Sequence, residues 1–137
     1  MSPEPLTLSI LPDIFAICRL DREAQIPAWA CEGSFTSITR TPDELSIVCS
    51  QGGVPAEVKC EKGWRCLKVE GPLDFALTGI LASLATPLAQ TGISILALST
   101  YDTDYLLVRE EDMERAMRVL SREGAQVRKE RKNGAHA

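Results

Sequence analysis

The sequence predicts an α+β fold built from two tandem strand-helix-strand-strand-helix-strand modules with antiparallel sheets, the first of them abbreviated. Three observations carry that expectation. The first half alternates in short apolar runs separated by turn-forming residues. The second half holds two helical stripes flanked by strand-like runs. A ten-residue segment of the first half returns, in outline, in the second. Residues 1–63 are expected to form the abbreviated N-terminal module, 64–128 the complete C-terminal one, and 129–137 a polar tail.

Leu6 to Leu11 alternates and runs into Pro12-Asp13, a turn signal; Phe15 to Leu20 reads as a second strand. Asp21 can cap a short helix from Arg22 to about Ala30, with Pro27 limiting its regularity. Phe35–Thr39 and Leu45–Cys49 read as strands joined through Thr41-Pro42-Asp43-Glu44 into a hairpin, and Gln51-Gly52-Gly53 is the clearest loop. Val58 to Val69 has strand character around an expected turn at Lys62-Gly63.

Past Gly71-Pro72, a helix is predicted from about Phe75 to Gln90, with Leu77, Ile80, Leu81, Leu84 and Leu88 on one stripe, a disturbance at Pro87 and Gly92 closing it. Ile93–Thr100 and Tyr105–Val108 follow as strands. Glu110, Glu111 and Asp112 place negative charge at the start of a second helix, which suits its dipole; Met113, Ala116, Met117 and Leu120 form its buried stripe. Gly124 ends it, and Ala125–Arg128 is a last strand. This is the split βαβ order of ferredoxin-like folds, in which two helices cover one face of an antiparallel sheet.

The repeat links the halves. Thr39 to Val48 lines up, sixty positions on, with Ser99 to Val108: each is a polar turn that closes on an acid and enters an apolar strand.

Bulk properties exclude several functions. A net charge of −4 argues against a nucleic-acid surface, and the one basic concentration, Arg128, Lys129, Arg131 and Lys132, reads as a solvated tail. No signal peptide opens the chain, and the apolar run Phe75–Leu98 is broken by Pro87, Gln90 and Gly92, so a cytoplasmic protein without a membrane partner is expected. The five cysteines, at positions 18, 31, 49, 60 and 66, are odd in number and lack C-x-x-C spacing; Cys18 and Cys49 read as small buried hydrophobes. The one histidine, His136, lies in the tail, which removes Ser-His and Cys-His nucleophilic schemes and a histidine metal site. No catalytic residue, metal or cofactor is therefore assigned.

Two polar stretches lie beside apolar structure: Gly71 to Gly79, leading into the main helix, and Ser99 to Asp104, the turn after the central strand. A helix N-terminus offers unpaired N–H groups to a carboxylate, and Asp74, Asp102 and Asp104 offer acceptors to an ammonium or guanidinium group; a free amino acid carries both charges. Each residue also has a purely structural reading. Asp74 serves as an N-cap, Gly79 permits close helix–sheet packing, and Asp102 and Thr103 form the turn. Asp104, entering an apolar strand, is the acid most exposed to the cost of partial burial.

The run from Gly79-Ile80-Leu81 through Gln90-Thr91-Gly92-Ile93-Ser94-Ile95 to Ser99-Thr100-Tyr101-Asp102-Thr103-Asp104-Tyr105-Leu106-Leu107-Val108 resembles an ACT domain, of the bacterial branch related to the CASTOR-type arginine sensors. The likeness covers residues 64–124, and Phe35 to Glu44 is similar to the companion half. It implies paired ACT-like modules with sheets edge to edge and a ligand at their seam. It also implies ligand contacts at Thr100, Tyr101 and Asp104, with Asp74 and Gly79 at the helix mouth and Ser37 to Thr39, taken as Ser37 and Thr39, from the companion half. The arginine sensors have four such modules where this chain has two. The function expected is a non-catalytic amino-acid sensor, with a small-molecule ligand, scope for a homodimer and an unidentified protein target. The alternative is a ligand-independent interaction or oligomerisation module.

Overall fold

The computed structural model describes residues 6–70 and 79–129 of the 137-residue chain. They fall into two compact units, one of residues 6–12, 65–70 and 79–129, the other of residues 13–64. The strand Lys59–Val69 gives its first part to the second of these and its last part to the first. Residues 6–12 fall in the first of these units.

The 13–64 unit is an antiparallel sheet of β2 (Phe15–Leu20), β3 (Ser37–Arg40), β4 (Leu45–Ser50) and the first part of β5 (Lys59–Val69), in the order β3-β4-β2-β5. Period-2 alternation sorts its side chains. Ala16, Cys18, Leu45, Ile47 and Cys49 enter the buried cluster on one face, while Phe15, fully buried on the other, meets Phe35 edge-on with ring centroids 5.9 Å apart. The hairpin β3–β4 forms as expected, with the Thr41 N–H donating to the Glu44 carbonyl at 2.9 Å.

The helix expected over 22–30 does not form. The chain turns at Asp21, whose carboxylate accepts the Glu23 N–H at 3.0 Å, and makes one 3-10 turn at Ala28–Cys31, directly after Pro27. Proline lacks the N–H that a helix needs and biases Ile26 away from helical dihedrals, and five residues before it are too few to pay for nucleation. The segment is held from outside instead. Arg40 donates to the carbonyls of Arg22 and Ala24, while Ala24, Trp29 and Ala30 cover the cluster that a helix would have covered.

Lys62-Gly63 is not a turn either. β5 continues through it, and between the pairs Phe15↔Trp64 and Ile17↔Glu61 it carries one more residue than β2 does. The surplus is a β-bulge centred on Gly63, whose φ of 82° is a left-handed value that glycine adopts without the Cβ penalty. The Gln51 side-chain oxygen accepts the Gly63 N–H at 2.9 Å, so the displaced backbone donor is satisfied.

The other unit contains β1 (Thr7–Ile10), the end of β5, α1 (Ile80–Gln90), β6 (Ile95–Ser99), β7 (Asp104–Arg109), α2 (Met113–Arg122) and β8 (Gln126–Lys129), with strand order β8-β1-β5-β7-β6. From β5 onward this is the predicted strand-helix-strand-strand-helix-strand order, with β1 inserted between the first and last of those strands. β1 is antiparallel to β5 and parallel to β8. Leu8, Ile10, Leu67, Val69, Leu106 and Val108 point to one face and form a core with Leu84 and Leu88 of α1 and Met113, Ala116, Val119 and Leu120 of α2. Of the expected α1 stripe, Ile80 and Leu81 are half-buried against that core, and Leu77 lies outside the described residues. Helix α1 runs on past Pro87 to Gln90, and the Ile93 N–H closes it onto the Leu88 carbonyl at 3.0 Å. A 3-10 turn at Glu110–Asp112 precedes α2, so the acidic residues sit at its N-terminus as predicted.

Arg128 and Lys129 belong to β8 rather than to a free tail. The Arg128 Nε donates to the Ser9 hydroxyl at 3.4 Å, and its guanidinium lies 3.9 Å from the Glu70 carboxylate, which also accepts from Ser9.

Candidate functional site

The turn that joins β6 to β7 is the best-built of the predicted site segments. Ser99 and Asp104 face each other as the last register pair of the two strands, and the Ser99 hydroxyl donates to Asp104 Oδ1 at 2.7 Å. Asp104 is half-buried, as its place before an apolar strand led one to expect, and its second carboxylate oxygen has no partner among the described residues. Between them, the Thr100 N–H donates to the Thr103 carbonyl at 2.8 Å, and the Thr100 hydroxyl accepts the Thr103 N–H at 3.3 Å. These bonds leave Tyr101 and Asp102 at the tip, with Tyr101 82% exposed.

Thr103 anchors the turn. It is 4% exposed, and its hydroxyl donates to the Val69 carbonyl at 2.6 Å. Val69 is the last residue of β5, from which the chain passes through Glu70 toward Gly79 and α1. The acidic turn is therefore fastened to the end of β5.

Gly79 is the N-cap of α1, with φ 79° and ψ 0°. A Cβ there would meet nothing within 4 Å among the described residues, so the glycine serves its left-handed backbone rather than close helix–sheet packing. Having no side chain, it caps none of the first-turn N–H groups. Asp74 lies outside the described residues. Ser37 and Thr39 lie in the other unit, on one face of edge strand β3, opposite Val48 and Ser46.

The structure thus brings Thr100, Tyr101 and Asp104 together in one turn and puts Gly79 at the start of α1. Sequence reasoning treats Thr103 as a plain turn former and misses its anchoring role. The available signal was a β-branched hydroxyl in the last turn position before an apolar strand. It also misses the polar set Ser9, Glu70 and Arg128, whose one advance sign was a serine inside an alternating apolar run.

The thiols of Cys18 and Cys49 are both buried; burial pushes Cys18 up to about 12 and raises Cys49 as well, so both stay protonated and packed. Among the described residues no group of three or more His, Cys, Asp or Glu side chains is placed to hold a metal ion, and no helix is long and apolar enough to cross a membrane.

A family model described as ACT domain matches residues 59–122, which takes in β5, α1, β6, β7 and α2. These residues are an ACT domain. A second family model, of an N-terminal domain, matches residues 13–57 and so falls within the 13–64 unit. The relatives of this chain include the cytosolic arginine sensor for mTORC1 subunit 1. The Bos taurus protein is 36% identical over 100 residues, which cover 65% of this chain and 30% of the sensor. The Homo sapiens protein is 34% identical over the same spans. The chain thus matches less than a third of the length of these relatives. A solved structure from Agrobacterium tumefaciens is 44% identical, with a TM-score of 0.88 over 95% of this chain and 96% of that one. Aspartate kinase of Clostridium acetobutylicum, an allosteric enzyme, shares the fold at 13% identity and a TM-score of 0.64, over 85% of this chain and 34% of that one.

Proposed function

We propose that this ACT-domain protein is a non-catalytic cytoplasmic sensor of a free amino acid, arginine first among the candidates, and that the Ser99–Asp104 turn supplies the contact to its cationic group. The observation that carries this reading is the Thr103–Val69 bond. It ties a turn holding one half-buried, half-engaged carboxylate to the strand end that leads to the α1 mouth. A helix mouth suits a carboxylate and Asp104 suits a guanidinium, so the two ends of one zwitterion have partners of the right sign. Tyr101, at the turn tip, offers a ring face to the same cation. Relatives named as arginine sensors favour arginine over an apolar amino acid. Regulation then follows from the ligand's preference for one arrangement of the protein, or of a protein–target complex, over another.

Thermal unfolding in the presence of each of the twenty amino acids tests this. A ligand present at about one hundred times its Kd adds roughly 2.7 kcal/mol to stability. Asp104→Asn removes a charge-assisted hydrogen bond of about 1.5–3 kcal/mol and should weaken binding roughly ten- to hundredfold. The double variant Ser37→Ala/Thr39→Ala reads whether the 13–64 unit takes part. No response to any amino acid, with Asp104→Asn indistinguishable from the parent, would favour the ligand-independent interaction module instead.

A further inference from the structure

Four of the five cysteines, Cys18, Cys31, Cys49 and Cys60, lie in the 13–64 unit. Three of these stand on adjacent strands: Cys49 on β4, Cys18 on β2 and Cys60 on β5. All three pack into the same apolar cluster, so their side chains share one face of the sheet, and both other thiols help to raise the pKa of Cys18. Their registers differ. Cys60 is the direct cross-strand partner of Cys18, whereas Cys49 pairs with Ala16 and is diagonal to Cys18, whose own partner on β4 is Ile47.

We propose that Cys18 and Cys60 form an oxidation site at which a hydroperoxide converts two neighbouring thiols into a cross-strand disulfide. This stands independently of the amino-acid reading. Directly opposed residues of an antiparallel pair have Cα atoms about 4.5–5.5 Å apart, inside the roughly 4.4–6.8 Å window of disulfides; diagonal neighbours at about 7–8 Å fall outside it. Register therefore selects Cys60 over Cys49 as the partner of Cys18. Access agrees with this choice, because Cys60 is half-buried while Cys18 and Cys49 are buried. The Cys60 thiolate attacks one peroxide oxygen, the O–O bond breaks, and a sulfenic acid and hydroxide result. The Cys18 sulfur then attacks that sulfenic sulfur, its proton joining the departing hydroxide as water. Over both steps two thiols lose two electrons and two protons, and one hydrogen peroxide becomes two waters. Because burial keeps the Cys18 thiol protonated, the second step quickens as pH rises.

The sequence makes the test unambiguous, since trypsin places every cysteine on a different peptide: Met1–Arg19, Glu23–Arg40, Thr41–Lys59, Cys60–Lys62 and Cys66–Lys68. The full chain is treated with hydrogen peroxide, quenched with an alkylating agent, digested and mapped by mass spectrometry. The expected result is a loss of about 2 Da per chain, reversed by dithiothreitol, with peptides Met1–Arg19 and Cys60–Lys62 joined. Cys60→Ser should abolish the link, while Cys31→Ser and Cys49→Ser leave it. Cys60→Ala, checked for its circular dichroism, separates loss of the thiol from loss of the fold. A link through Cys49 or Cys31, or oxidation to sulfinic acid with no link, would overturn the proposal.

Discussion

Replacing Thr103 by valine isolates one hydroxyl. The two side chains have nearly the same shape and β-propensity, and the turn bonds of residue 103 to Thr100 use its backbone, which the change leaves intact. What disappears is the 2.6 Å bond to the Val69 carbonyl, at a residue only 4% exposed. A buried hydrogen bond is worth about 0.5–1.5 kcal/mol net, and an acceptor left short of a partner raises the loss to about 1–3 kcal/mol. For a chain of this size, that is a fall in Tm of roughly 3–12 °C. Denaturant unfolding followed by circular dichroism gives the number, and amide exchange locates it. Protection should fall first in residues 100–104, because the turn loses its tie to β5. The Asp104-dependent ligand response should weaken in step, since the carboxylate is positioned by that turn. A valine variant as stable as the parent, with unchanged exchange in the turn, would show that the hydroxyl anchors nothing.

Two further outcomes follow from the buried side chains. The Cys18 thiol is 1% exposed and titrates near 12 in the folded chain against an ordinary value of 9.0, so folding keeps its proton on; the stability this confers is complete below pH 9 and is lost as pH rises toward 12, up to about 4 kcal/mol. Urea midpoints measured under reducing conditions from pH 7 to 11 should fall more steeply for the parent than for Cys18→Ala, and equal slopes would contradict this. Leu88 is fully buried and is the residue onto which the Ile93 N–H closes α1, so Leu88→Ala should cost about 2–5 kcal/mol in the same unfolding assay.

What the sequence made legible was whatever its periodicity encodes directly. β2 runs over the predicted Phe15–Leu20, the β3–β4 hairpin forms through the predicted connection, and α2 buries Met113, Ala116 and Leu120 as its spacing requires. Two failures share a cause. Arg22–Ala30 has helix-forming residues, and Lys62-Gly63 has turn-forming ones, yet in each the outcome is decided by partners distant in sequence. Arg40 holds the first segment from β3, and β2 carries the second on as a bulged strand. A local reading sees propensity and misses such partners. The site follows the same pattern. Asp104 and Thr100 stand out by residue type, whereas Ser99 as the holder of Asp104, and Thr103 as the anchor, appear only when the register of β6 against β7 and the neighbouring end of β5 are known.

The same distinction sets where the ACT unit ends. The family model marks it as residues 59–122, but the hydrogen bonds include more. β1 lies between β5 and β8, with Leu8 opposite Val69, Ile10 opposite Leu67 and the pair Leu8↔Val127 on its other side. Leu8 and Ile10 belong to the same core as Leu84, Leu88 and Leu120, and without them the β5 edge would expose Leu67 and Val69 beside unpaired backbone groups. A strand from the start of the chain is thus structurally part of a domain whose remaining elements begin more than fifty residues later. In chain order the 13–64 segment, with its own cluster of Ala16, Cys18, Leu45 and Ile47, is an insertion between β1 and the rest of that unit. Asp104 and its turn therefore depend for their position on residues at both ends of the insertion: Val69, which accepts from Thr103, and Leu8, which pairs with Val69.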